Sequence, residues 1–366
     1  MKLALLELRR RPGRFAVIGT ALILLVLLML FLGKILNGLF LDSTGGIRVH
    51  EADRYVFSDD ARESVLRSDI SDGELAELNA VEGVADARGF GITLLGLIIP
   101  DEDEPADGAI GGYQAAGGGL PAPPPPGQAF ADERLGDLGL DLGDIVLVGP
   151  AEIPIEVIGW VEDSNYLQQN GLWVEGETWR GIQNANRPDA ILAADEWQVA
   201  LVDFAAGADA ATVTAAIETL TGGDALSERE ASFAIPGVPE QNATITAVIY
   251  ATAFVVALVV ALFFALLTLE RAGLYAVLKA TGASNRTLAV GVVTQAVVVA
   301  LLAYAVGGLL SYLLGQVVPP EVPVIYTPGR AIFTLVAVVA AAVLGSLMSL
   351  RRIIRIEPAS AIGAGL

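Results

Sequence analysis

The chain has 366 residues, of which 54% are hydrophobic and 17% charged, and its formal net charge is −20. A soluble domain averages about 45–50% apolar and about 25% charged residues, so this composition indicates a membrane protein. Cysteine is absent and histidine occurs once, at His50. These counts exclude disulfide scaffolds, thiolate metal sites, cysteine nucleophiles and multi-histidine metal sites.

Charge is divided unevenly along the chain. Residues 41–243 carry 38 acidic and 9 basic side chains, whereas the remaining residues carry 4 acidic and 13 basic ones. An acidic block and a basic block in one chain indicate two different environments. Nucleic acid is not predicted as a partner of the acidic block, because phosphates are bound by Lys and Arg.

Four long uncharged runs are each predicted to form a transmembrane helix, since about 20 apolar residues cross a bilayer. The predicted spans are 15–33, 244–269, 287–318 and 331–350. The first run is predicted to be an anchor, because it is longer than the apolar part of a signal peptide and no small-residue cleavage site follows it. The spans contain no ionisable residue apart from Lys34 at a boundary, which disfavours an ion-coupled carrier.

The basic residues outside the spans predict the orientation. The N-terminus (1–14), the loop 270–286 and the C-terminus (351–366) carry Lys and Arg, and four spans place all three on one face. The positive-inside rule makes that face cytoplasmic, so the chain is expected to be a multi-pass protein of the cell membrane. Residues 34–243 then form an extracytoplasmic domain, and 319–330 form a short outer loop that faces the same side.

The extracytoplasmic domain is predicted to be a compact α/β or α+β domain, because helix and strand patterns alternate along it. Helices are predicted at 72–79, 130–138 and 209–220, and strands at 83–90, 92–99, 145–148, 153–161, 190–193 and 198–204.

Residues 100–127 are predicted to be a flexible insertion, because they combine an acidic run with a Pro- and Gly-rich stretch. The acidic run 101–104 is interpreted as a solvated loop, since Pro105 stands where a calcium loop needs an oxygen ligand. Paired carboxylates could serve glycoside hydrolysis, but with 38 acids in the block such pairs are inevitable. His50 is expected at the surface or in a stalk, and no catalytic residue, cofactor or metal site is predicted.

Small residues recur every four positions in the last two predicted spans. This spacing allows helix backbones to approach closely, whereas an Ala- and Gly-rich chain also produces such ladders by chance. The predicted packing positions are Ala303, Gly307, Ser311 and Gly315 in one span and Ala337, Ala341, Gly345 and Ser349 in the other.

A short amphipathic helix is predicted in the inner loop after the second span. Leu274, Tyr275 and Leu278 share one helical face, and Arg271 and Lys279 flank it. Downstream, Gly282 is typical of a helix stop, and Ser284 or Asn285 of an N-cap for the next helix. The helix either lies on the membrane surface or docks into a groove of a cytoplasmic partner.

This segment resembles a known family. The run from Glu270 to Ser284, which ends in YAVLKATGAS, looks like the inner loop of the FtsX-like/MacB-like permease family of ABC transporters, with DevC-type permeases most similar. The terminal RRIIRIEPASAI of 351–362 is similar to the ending of that family. Residues 130–135 together with Gly143-Asp144 resemble an element of its outer domain, whereas the insertion at 100–127 has no counterpart in the pattern.

The resemblance implies a permease dimer, of identical chains or close paralogues, that works with a separate cytoplasmic ABC ATPase. The chain itself contains no G-x-x-x-x-G-K-[ST] phosphate loop, so it is not expected to be an enzyme. The resemblance further implies membrane lipid as the surrounding solvent and, in some members, an extracytoplasmic adaptor or cell-wall hydrolase as partner. Implied coupling residues are Glu270, Arg271, Leu274, Tyr275, Leu278, Lys279, Gly282, Ala283 and Ser284.

Three functions remain open from the sequence. The chain is a permease subunit that serves export, a transmembrane transmitter that regulates a cell-wall hydrolase without transport, or a membrane-anchored adhesion or sensor protein. A docking helix at 270–284 separates the last from the first two, since an adhesion protein needs none.

Overall fold

The computed structural model describes residues 12–102, 104–270, 272–319 and 322–354, which form two compact units. One unit consists of residues 39–242, and the other combines the chain before residue 39 with the chain after residue 242. We refer to them as the outer unit and the membrane unit. The division agrees with the charge asymmetry of the sequence.

The helices, in chain order, are α1 (Pro12–Arg48), α2 (Asp72–Asn79), α3 (Arg134–Asp137), α4 (Gly176–Asn186), α5 (Ala210–Thr221), α6 (Glu228–Ala234), α7 (Val238–Glu270), α8 (Ala272–Ala280), α9 (Asn285–Gly315) and α10 (Pro328–Ile354). The strands are β1 (Arg54–Val56), β2 (Ile70–Ser71), β3 (Val84–Ile98), β4 (Ala106–Tyr113), β5 (Gln128–Asp132), β6 (Ile145–Val148), β7 (Ile153–Val161), β8 (Asn170–Glu175), β9 (Glu196–Trp197), β10 (Val199–Phe204) and β11 (Ala225–Leu226).

Four helices of the described chain are long and apolar enough to cross a membrane, as predicted. The apolar spans are Gly19–Arg48, Val238–Phe263, Asn285–Gly315 and Pro328–Leu347. Two of them exceed the predicted spans, because α1 continues to Arg48 and α7 begins at Val238. Buried side chains of all four helices form one apolar cluster that includes Val26, Val260, Val299 and Val338.

The outer unit is built on a nine-stranded sheet with the order β11-β1-β10-β3-β4-β8-β5-β7-β6. The end of the long strand β3 also pairs with β6, where Leu97 opposes Val148. This pairing closes β3, β4, β8, β5, β7 and β6 into a ring. Two apolar cores lie in this unit, one containing Trp179 and Trp197 and the other Trp173. The predicted α/β class of the domain is therefore confirmed.

Several predicted elements are confirmed, and the structure shows how two of the helices are capped. Helix α2 spans the predicted residues 72–79, and it begins with a capping box in which Ser71 and Glu74 each bind the other's backbone N–H. Helix α5 begins after Asp209, whose carboxylate accepts the backbone N–H of Thr212 at 3.0 Å. Strands β6 and β7 have the predicted bounds, and the two strands predicted at 83–99 form the single strand β3.

The helix predicted at 130–138 is wrong. Phe130 lies in strand β5, between β7 and β8, and α3 covers only four residues. Asp132 ends the strand, because its carboxylate accepts the backbone N–H of Arg134 at 3.1 Å. Pairing with two neighbouring strands overrides the local helical pattern.

The strand predicted at 190–193 is also wrong, because side chains rather than a neighbouring strand bind its backbone. The N–H of Leu192 donates to Asn184 at 2.7 Å, and the N–H of Ala193 donates to Glu196 at 2.9 Å. Strand β8 and helix α4, which follow each other at 170–186, are not among the predicted elements.

The predicted flexible insertion at 100–127 contains an ordered strand. Strand β4 pairs antiparallel with β3 and parallel with β8, in the middle of the sheet. Its glycines indicate close packing: a Cβ on Gly111 would lie 2.3 Å from the ring of Trp173, and one on Gly112 would lie 2.4 Å from the side chain of Trp179.

His50 is buried, in contrast to the expected surface position. Its ring lies 4.3 Å from the ring of Phe90 and 5.4 Å from that of Trp173, measured between centroids. Burial lowers the pKa of His50 to about 3, and the positive charge of Arg88 acts in the same direction. The imidazole is therefore neutral at physiological pH.

Candidate functional site

The loop between the second and third membrane helices forms a compact helix and turn. Helix α8 ends at Ala280, and Gly282 follows with a φ of 97°. The N–H of Gly282 donates to the carbonyl of Lys279 at 3.0 Å, and the N–H of Ala283 donates to that of Leu278 at 2.8 Å. This left-handed stop suits glycine, because a side chain strains the backbone there.

The next helix begins immediately after this turn. Ser284 is the N-cap of α9, and its hydroxyl accepts the backbone N–H of Thr287 at 3.2 Å. A C-terminal stop and an N-terminal cap thus stand two residues apart, as the sequence predicts. The turn defines the path of the chain between α8 and α9.

The apolar side chains of α8 divide between two faces. Leu274 and Val277 are 50% and 51% exposed, whereas Leu278 packs, together with Ala283, against the apolar cluster of the membrane unit. The sequence pattern groups Leu274 with Leu278 on one face, and Val277 is not among the predicted residues. The spacing of three residues between Leu274 and Val277 on one helical face is the signal that could have found it.

The polar residues of the predicted set lie around this helix. Glu270 is exposed at the end of α7, and Lys279 is half-buried near the end of α8. Arg271 and the side chain of Tyr275 lie outside the part that the structure describes. Over the described ranges, no group of three His, Cys, Asp or Glu residues could hold a metal ion.

The small-residue ladder of α9 faces α1 within the membrane unit. Gly307 lies so close to α1 that a Cβ there would be 3.0 Å from the carbonyl oxygen of Ile23 and from a methyl group of Val26. One turn later, the carbonyl of Ser311 accepts a hydrogen bond of 3.1 Å from the Lys34 ammonium. Ala303 and Ser311 are buried and Gly315 is half-buried.

The ladder of α10 faces α7. A Cβ on Gly345 would lie 2.5 Å from the carbonyl oxygen of Ala257, closer than side-chain carbons approach a backbone. Ala341 is buried and Ala337 half-buried, while the side chain of Ser349 is outside the described set. Both ladders therefore make contacts between helices of this chain.

The outer unit contains a polar cavity of about 200 Å³ near the segment that resembles the family's outer-domain element. Asp42 accepts hydrogen bonds from Asn165 and Arg134, and Asp132 accepts the hydroxyl of Ser164 at 2.7 Å. These partners satisfy the carboxylates, so the network holds the loop around residue 164 against the end of β5.

Comparison with known proteins finds similarities for the membrane part. Residues 246–358 match the family described as FtsX-like permease C-terminal. Those residues include the 270–284 segment, so the predicted resemblance is confirmed for this part of the chain. The match covers α8, α9, α10 and residues 246–270 of α7.

Two curated relatives each match this chain over a stretch of comparable length. An uncharacterized ABC transporter permease of Mycobacterium bovis is 43% identical over 98 residues, which cover 27% of this chain and 28% of that protein. A second uncharacterized ABC transporter permease, of Mycobacterium tuberculosis, is 37% identical over 99 residues, again covering 27% and 28%. The chain thus spans little more than a quarter of the length of these relatives.

Among solved structures, the chain is similar to the periplasmic region of MacB from Actinobacillus actinomycetemcomitans. The sequence identity is 12% and the TM-score is 0.37, over 52% of this chain and 94% of that region.

Proposed function

We propose that this chain, which carries an FtsX-like permease C-terminal domain at 246–358, is the permease subunit of an ABC transporter that serves export. A separate ATPase binds at the 270–284 segment. The observation that carries the proposal is the position of this segment: it belongs to the matched domain and presents apolar side chains between two membrane helices.

The exposed face of α8 supplies the docking surface. Leu274 and Val277 lie side by side on it and do not belong to the apolar cluster of the membrane unit. An amphipathic helix of this kind binds by placing its apolar face in a groove of the partner. Leu278 is not part of this docking surface, because it packs against the membrane helices and fixes α8 to them.

The capped turn after α8 connects the docked helix to the rest of the membrane unit. Gly282 and Ser284 define the turn between α8 and α9, and α9 packs on α1 through Gly307. A displacement of α8 by the ATPase is therefore passed to α9 and α1. The chain enters the outer unit as helix α1 and leaves it through α7, so these helices carry the motion onward.

The test is co-purification of the ATPase with the Leu274→Asp variant. Burying a carboxylate in an apolar groove weakens docking by about 2 kcal/mol or more, equivalent to about thirtyfold in Kd. Leu142→Asp is the matched control, because Leu142 is an equally exposed leucine in the outer unit. We expect the unsubstituted chain (the parent) and Leu142→Asp to retain an ATP-hydrolysing partner. Leu274→Asp should lose that partner. Equal retention by both variants would contradict the proposal.

A further inference from the structure

A cationic side chain without an acidic partner lies at the predicted outer end of the membrane helices. Arg330 is the third residue of α10, and its guanidinium makes no hydrogen bond or ion pair with any residue that the structure describes. Lys34 lies nearby, but its ammonium donates to the Ser311 carbonyl and lies 5.9 Å from the centre of the Tyr326 ring. A cation packed among apolar helices with no acidic partner in the described part of the chain is a candidate site for an anionic ligand.

Arg330 lines two adjoining cavities in the membrane unit. The larger has a volume of about 220 Å³ and lies among α1, α7 and α10, where its lining includes Thr246, Ile249, Tyr250 and Phe333. The smaller, of about 20 Å³, is lined by both Lys34 and Arg330. The described lining of the two cavities includes two cations, several hydroxyl groups and no carboxylate.

The residues that line the two cavities favour the binding of an amphipathic anion. Tyr250 and Phe333 are largely exposed on apolar helices, where lipid chains surround the protein. A guanidinium matches the paired oxygens of a phosphate group, and with no carboxylate in the lining a lipid ammonium group has no counter-charge there. We propose that the cavity beside Arg330 binds the phosphate group of an anionic phospholipid from the surrounding bilayer. This site is independent of ATPase docking, because it lies at the opposite end of the predicted spans.

Native mass spectrometry of the full chain tests the proposal, with the protein purified in an equal mixture of phosphatidylglycerol and phosphatidylcholine. We expect the parent to retain phosphatidylglycerol selectively and Arg330→Gln to retain about tenfold less, the effect of one charge-assisted hydrogen bond. Arg330→Lys should show a smaller loss, because it keeps the charge but not the paired geometry. Arg286→Gln, the same charge change at an exposed position at the predicted inner end, should equal the parent.

Other occupants of the cavity beside Arg330 would give different results in this experiment. Equal retention of the two lipids by the parent, or equal phosphatidylglycerol retention by the parent and Arg330→Gln, would overturn the proposal. Displacement of the lipid by inorganic phosphate at equal concentration would also overturn it, since the site would then take a free anion. An internal ion pair with Glu321, which lies outside the described residues, predicts that Glu321→Gln and Arg330→Gln lower the melting temperature alike without changing lipid retention.

A second measurement covers the case in which Arg330→Gln does not fold. Photoactivatable phosphatidylglycerol is crosslinked to the parent chain, and the modified peptides are sequenced. We expect adducts concentrated at 246–250 and 328–334. An even distribution over all four membrane helices would overturn the proposal.

Discussion

At the scale of single residues, His50 has the most consequential position. It is the only histidine of the chain and is buried between Phe90 and Trp173. The unfolded chain binds a proton at His50 below its ordinary pKa of about 6.5, whereas the folded chain resists protonation until about pH 3. The contribution of neutral His50 to folding stability is therefore fully present above pH 6.5 and is lost as the pH falls from 6.5 towards 3.

We expect the free energy of unfolding of the outer unit to fall by up to about 1.4 kcal/mol per pH unit below pH 6.5 because of His50. In His50→Leu this part of the slope disappears. Urea unfolding followed by tryptophan fluorescence at pH 7, 6 and 5 measures it in the intact protein, because all four tryptophans lie between residues 160 and 197. All other titratable groups are present in both proteins, so their contributions cancel in the comparison. Identical slopes would refute the assignment.

Glycine shows why part of the outer unit escapes sequence analysis. The acidic run 101–104 and the Pro- and Gly-rich stretch 117–127 predict a flexible insertion at 100–127, but Gly111 and Gly112, which lie between these stretches, belong to strand β4. In the folded chain they make room for Trp173 and Trp179, which come about 60 residues later. A contact so distant in sequence leaves no local pattern, and the burial of His50 depends on similar contacts.

At the scale of elements, the sequence predicts helix ends well and helix faces less well. Gly282 and Ser284 are recognisable from the sequence because caps depend on residues within three positions. The sequence does not predict which face of α8 is exposed, because this depends on which of its side chains contact the other membrane helices. The sequence places Leu278 among the coupling residues, and in the structure it packs against the membrane cluster.

The contact between α10 and α7 gives a prediction at this scale. Gly345→Ala places a methyl group 2.5 Å from the Ala257 carbonyl oxygen, so the helices must separate, at a cost of about 1–3 kcal/mol. Gly291→Ala is the matched control, since a Cβ at this helical glycine meets no atom within 4 Å. Thermal loss of the helical circular dichroism signal in detergent is the measurement. We expect a lower midpoint for Gly345→Ala only, and equal midpoints would count against the packing.

At the scale of the whole molecule, the uneven charge of the sequence predicts two units, and contacts in the structure divide the chain at residues 38–39 and 242–243. We expect residues 39–242 to fold alone as a soluble monomer without oxidant or metal, with a free energy of unfolding of about 5–15 kcal/mol. The reasons are the closed ring of strands and the two apolar cores within the unit. Cooperative unfolding by tryptophan fluorescence checks this expectation, and an expanded, protease-sensitive fragment would disprove it.

A separate ATPase is expected to bind the exposed face of α8. Because the chain has no cysteine, a single cysteine at Val277 is a unique attachment point for a photocrosslinker in intact cells. Val290→Cys is the matched control, because Val290 is 54% exposed but lies in an apolar span rather than in the inner loop. We predict that Val277→Cys forms an adduct with a protein whose peptides contain a phosphate-binding loop and which binds ATP, and that Val290→Cys does not. Absence of an ATP-binding adduct at Val277, or equal adducts at both positions, would contradict the account.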